Sequence, residues 1–176
     1  MFMCDAFQER LEYAKWQEGK RSLRMLTIIG AHPKHIRVTV VSRELGKHDD
    51  ISEVLVHTVQ HYDINMLDVS LEEFDIPKPD YNLGTGSATQ GMQTARTIEV
   101  LEDVLIEGSP DCVIVYGDTN SIPACPLATA RLHSPVAHVE AGLHSFNRRM
   151  PEEINRIATV KCTSCANGHF CGEPDA

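Results

Sequence analysis

Apolar residues fall in short continuous runs that alternate with segments of helical spacing, and this alternation sets out the architecture. Met25-Leu26-Thr27-Ile28-Ile29 is almost wholly apolar and ends at Gly30. A parallel strand covered on both faces reads this way, because neither of its sides meets water. Comparable runs recur at Glu53-Val54-Leu55-Val56-His57, Cys112-Val113-Ile114-Val115-Tyr116 and Val136-Ala137-His138-Val139. Between them, Thr94 to Glu107 carries Ile98, Leu101, Val104 and Leu105 at helical intervals, and Asn120 to Leu132 is rich in alanine. Both segments predict helices packed on a sheet. Phe7, Leu11 and Ala14 predict a further short amphipathic helix near the start. Strand and helix alternate, so the expected class is α/β, a doubly wound, mostly parallel, Rossmann-like sheet. Ligands of such sheets bind beyond the carboxyl ends of the strands, which directs attention to the strand-to-helix loops.

Composition narrows the picture. A chain of 176 residues, 42% hydrophobic and 23% charged, suits one globular domain. That domain is placed at residues 25–159, after an extension over 1–24 and before a Cys-containing tail over 160–176. A net charge of -9 repels a phosphate backbone, so no nucleic-acid partner is expected. The first residues contain no apolar secretion core, and no run approaches the roughly 18 residues of a membrane span. A soluble cytoplasmic protein without a membrane partner is therefore expected, its six cysteines free rather than paired. Cys162, Cys165, His169 and Cys171 have ligand types that suit zinc, but one such cluster without a supporting fold predicts no metal site.

Each predicted strand delivers ionisable groups to its carboxyl end. The first is followed by Gly30-Ala31-His32-Pro33-Lys34-His35-Ile36-Arg37, whose free N–H groups and cations suit an anion such as a diphosphate, or simply form a charged surface turn. The second leads to His61. The third leads to Asp118, which can carry protons or cap the next helix. Glu140 directly follows the fourth strand, where partial desolvation suits a proton carrier or a partnered structural carboxylate. Pro151-Glu152-Glu153 has the composition of a helix start that complements its dipole. If the loops converge, Asp118, Glu140 and Glu152 form an acid/base constellation.

At these residues the chain resembles the non-hydrolysing UDP-N-acetylglucosamine 2-epimerases. The resemblance rests on Val115-Tyr116-Gly117-Asp118-Thr119-Asn120, His138-Val139-Glu140-Ala141-Gly142-Leu143 and Pro151-Glu152-Glu153-Ile154-Asn155-Arg156, in order, and it covers about Met25 to Ala158. It implies an isomerase, the N-terminal half of a two-domain GT-B architecture. The implied reaction inverts C2 of UDP-N-acetylglucosamine to give UDP-N-acetylmannosamine by elimination and re-addition of UDP, without a metal or redox cofactor. Asp118, Glu140 and Glu152 take the family's catalytic positions; His32, Arg37, His61 and His144 take substrate-binding ones. The chain departs from the family at His32, Lys34 and Arg37 of the first turn, at Val59, and at His144 in place of Arg. The implied partners are the UDP-sugar, a second copy of the chain in a homodimer, and a C-terminal domain that the chain lacks. A non-catalytic binding domain, a degenerate remnant and a hydrolysing relative are the competing readings.

Overall fold

The computed structural model describes residues 22–30, 35–58, 78–85, 88–163 and 165–167. Six strands form one parallel sheet in the order β3-β2-β1-β4-β5-β6. They are β1 (Leu23–Ile29), β2 (Ile51–His57), β3 (Tyr81–Asn82), β4 (Cys112–Tyr116), β5 (Val136–Val139) and β6 (Cys165–Asn167). The helices are α1 (His35–Leu45), α2 (Gln90–Gly108), α3 (Ala124–Arg131) and α4 (Pro151–Cys162). The strand order reverses between β1 and β4, as in a doubly wound sheet, and ligands of such sheets bind beyond the strand ends at a switch point of this kind.

The pleat of β1 divides the core in two. Met25 and Ile29 pack with Val38 of α1 and with Leu55, Cys112, Ile114 and Tyr116 on one face. Leu26 and Ile28 point the other way, into a cluster with Val56, Leu101, Val104, Leu105, Val113, Val115, Ile122, Cys125 and Ala128. Burial on both faces accounts for the unbroken apolar run in sequence. Thr27 sits within it fully buried, its hydroxyl donating to Glu53 Oε1 at 2.5 Å.

In α2 the buried residues Thr97, Leu101, Val104 and Leu105 lie on one helical stripe. The helix ends at Ser109, in the left-handed region at φ 41°, whose N–H returns to the Leu105 carbonyl before Pro110 blocks continuation. In α4, Pro151 occupies the first turn with Glu152 and Glu153, while Lys161 lies in the last, all matching the helix dipole.

The observed elements cross the expected boundaries at both ends. β1 begins at Leu23, inside the expected extension, and α4 and β6 run into the expected tail. The helix expected around Phe7 to Ala14 lies outside the described residues, and α3 is shorter than its alanine-rich segment because residues 120–123 form a turn.

Candidate functional site

Two carboxylates stand on neighbouring strand ends. Tyr116 of β4 pairs with Val139 of β5, and the Gly117 N–H donates to the Val139 carbonyl at 3.2 Å, so Asp118 and Glu140 leave the sheet side by side. Gly117 makes that exit at φ 73°, a conformation open to glycine. Glu140 adopts φ 72° without that freedom. A glutamate held there costs on the order of 1–3 kcal/mol, and such local strain concentrates at functional positions. Beneath them His138 is fully buried and donates from Nε2 to the Gly117 carbonyl at 2.7 Å, joining the two exits.

Helix α4 closes one side of the site from an unusual face. Its buried residues are Glu153, Arg156 and Thr159, while Ile154 is 53% exposed. The polar stripe points inward because it has work there. Arg156 forms an ion pair through Nη2 with Asp118 and donates through Nη1 to Glu153 Oε2 at 2.5 Å. Asn155 donates from Nδ2 to the Asp118 carbonyl and to Asn120 Oδ1, each at 3.0 Å. The helix thus grips both the side chain and the backbone of the loop after β4.

Glu153 is the hub of this arrangement. Its Oε1 accepts from His144 Nδ1 at 3.0 Å, and its Oε2 accepts from the Ser145 N–H at 3.0 Å and the Ser145 hydroxyl at 3.2 Å. Burial works to raise its carboxyl, but the Ser145 N–H, the His144 ring and the Ser145 hydroxyl outweigh it and hold the group at about 2. A chain of four groups, His144–Glu153–Arg156–Asp118, therefore runs from one loop to the other.

The strand ends at the switch point are tied together by hydroxyls. The Thr58 hydroxyl donates to the Ile29 carbonyl at 3.2 Å and shares a hydrogen bond with Ser121 at 2.9 Å. The Thr85 hydroxyl donates to the Thr58 carbonyl at 2.5 Å and receives one from Thr97 at 3.0 Å. Gly30 closes β1 against Thr119, near enough that an added Cβ would collide with Thr119 Oγ1.

The sequence-derived candidates fare unequally. Asp118 and Glu140 follow the adjacent strands β4 and β5, Asp118 beside the switch point, and Asp118 does not cap α3, whose N-cap is Pro123. Glu152 lies exposed in the first turn of α4, one residue from the buried network. His144 belongs to that network through Nδ1. Arg37 lies in α1, its side chain outside the described residues, as are His32 and His61. Of the cysteine cluster, Cys162 ends α4 and Cys165 begins β6, while His169 and Cys171 lie outside the described residues. Glu153, Asn155 and Arg156 went unassigned in sequence as site residues. The i, i+3 spacing of Glu153 and Arg156 was visible, but an exposed Ile154 beside a buried Glu153 inverts the pattern that hydrophobicity predicts.

Comparison with known proteins identifies the family. The family model described as UDP-N-acetylglucosamine 2-epimerase matches residues 43–176. The chain is 51% identical over 137 residues to the UDP-2,3-diacetamido-2,3-dideoxy-D-glucuronate 2-epimerase of Pseudomonas aeruginosa, covering 78% of this chain and 39% of that one. It is 44% identical to the UDP-GlcNAc 2-epimerase of Methanocaldococcus jannaschii, whose structure in complex with UDP-GlcNAc and UDP superposes with a TM-score of 0.76 over 81% of this chain and 39% of that one. The enzyme of Neisseria meningitidis bound to UDP-GlcNAc gives 37% identity and a TM-score of 0.77 over 83% of this chain and 40% of the other. Acinetobacter baumannii MurG shares the fold alone, at 12% identity and a TM-score of 0.58. The chain spans about two-fifths of the length of the relatives it matches. With three-quarters of its residues matched by that model, the chain belongs to the UDP-N-acetylglucosamine 2-epimerase family.

Proposed function

We propose that this chain provides the acidic half of a site that inverts C2 of UDP-N-acetylglucosamine to give UDP-N-acetylmannosamine. The observation that carries the reading is the placement of Asp118 and Glu140 side by side on the ends of β4 and β5, one paired to a buried Arg156 and the other held at φ 72°. Inversion needs removal of the C2 proton while the bond from C1 to the UDP oxygen breaks. UDP departs with the bonding pair, leaving a 2-acetamidoglucal. Re-addition reforms the C1–O bond as a proton reaches C2 from the opposite face. Carboxylates can carry those protons, and fixed charges can stabilise the oxocarbenium-like centre between the steps. Elimination and re-addition leave the substrate's oxidation level unchanged overall, so the route requires no redox cofactor.

Asp118, Glu140 and Glu152 are the proposed catalytic groups, and His32, Arg37, His61 and His144 the substrate-binding ones. The other wall of the cleft is assigned to a second lobe, which the greater length of the relatives can supply. Homodimerisation and a cytoplasmic setting belong to the same proposal. Among the described residues no helix is long and apolar enough to cross a membrane, which is compatible with that setting. The 51% identity to an epimerase named for a diacetamido-glucuronate favours a second substrate reading, the same inversion on a different UDP-sugar.

The test is incubation with each UDP-sugar in D2O, followed by proton NMR, with Glu140→Gln as control. Deuterium should enter C2, and exchange should fall by about a hundredfold or more in the variant. Saturable binding without exchange in a folded sample would reduce the role to a binding lobe. Absence of both would overturn the proposal.

A further inference from the structure

Resting on the epimerase reading above, we propose that the Thr119 hydroxyl is a substrate-binding group of the crevice between β1 and β4, held without a hydrogen bond until the nucleotide sugar supplies one. Thr119 directly follows Asp118 in the loop that leaves β4, at the point where the strand order reverses. Its Oγ1 is fully covered, yet among the described residues it has no hydrogen-bond partner. The hydroxyls of Thr58, Ser121, Thr85 and Thr97 nearby are all engaged, whereas among the described residues the Tyr116 hydroxyl at the end of β4 shares the unpartnered state of Thr119. A covered hydroxyl with no partner costs stability on the order of 1–3 kcal/mol, so it needs a reason to be there.

Gly30 supplies the geometry. Thr119 Oγ1 occupies the space that a Cβ at residue 30 would need, so the hydroxyl is parked against bare backbone at the end of β1. The residue as a whole is only half-buried, so part of its surface is open to solvent. A turn of one staggered well about χ1 exchanges the hydroxyl for another substituent of Cβ and offers the oxygen as donor or acceptor. A bound nucleotide sugar would then complete a hydrogen bond that the free chain lacks, and binding would gain what folding gave up.

Two measurements on Thr119→Val and Thr119→Ser test this. Valine keeps the branched shape and removes the hydroxyl; serine keeps the hydroxyl. Thermal melting of Thr119→Val should match or exceed that of the parent chain, because no native hydrogen bond is lost. Calorimetric titration with UDP-N-acetylglucosamine should show about tenfold weaker binding for Thr119→Val. Thr119→Ser should bind within about twofold of the parent. A lower melting temperature for Thr119→Val would reveal a structural partner, such as a buried water, and overturn the proposal. Unchanged affinity in Thr119→Val would overturn it while leaving the epimerase reading intact. No binding by the parent chain would remove the epimerase reading and this assignment together.

Discussion

Glu153 shows how one residue can carry more of a site than the residues beside it. It is a buried carboxylate with both oxygens engaged, and its acidity is set chiefly by donation from the Ser145 N–H, the His144 ring and the Ser145 hydroxyl against the opposing effect of burial. Its folded value of about 2 lies below the ordinary 4.5. A depressed carboxyl stabilises the fold above its unfolded value and loses that contribution as pH falls, here across the window from 4.5 to about 2. Glu153→Gln cannot titrate and leaves Arg156 with one carboxylate fewer. At pH 7 it should be less stable by about 3 kcal/mol in urea unfolding. The gap to the parent should close as pH drops through that window, and parallel profiles would refute this role. The strand-end positions of Asp118 and Glu140 were legible in sequence, because Glu140 directly follows one apolar run and Asp118 stands one glycine beyond another. Glu153 was not, because only the fold reveals that the loop from His144 to Ser145 turns back onto it.

Elements were legible wherever packing follows periodicity. β4 and β5 occupy the residues expected of them, and α2 (Gln90–Gly108) starts four residues before the expected Thr94 and ends one after the expected Glu107. β6 was not visible, since its three residues carry no strand pattern and owe their place to pairing with β5. Helix α4 was located by its Pro151 start, but its orientation was hidden by its inverted polarity. The joint between β1 and the loop after β4 is likewise tertiary, a glycine facing a threonine 89 positions on. Gly30→Ala should cost about 1–3 kcal/mol, because the new methyl forces Thr119 to move. Adding Thr119→Ala removes the obstructing atom, so the double variant should recover most of the loss. A double-mutant cycle by chemical denaturation measures this coupling, and strictly additive effects would place the strain elsewhere.

For the whole molecule, the conspicuous surface is apolar. Leu143, Phe146, Met150 and Ile154 are exposed on the loop after β5 and the start of α4, with Phe146 88% exposed. They flank the carboxylates, where the proposed second lobe would approach. Such a patch should bind a hydrophobic dye, and the double variant Phe146→Ser, Ile154→Ser should lower the fluorescence of bound anilinonaphthalene sulfonate by about half. Unchanged fluorescence would mean that the patch is closed in solution. The strand order has a different consequence, for the timing of synthesis. β1 pairs with β2 soon after it in the chain, but its other neighbour is β4, whose first paired residue is Cys112. Until the ribosome has released that strand, the largely apolar β1 waits with one edge unpaired. The nascent chain is thus most open to aggregation or chaperone capture during the interval in which α2 is being made.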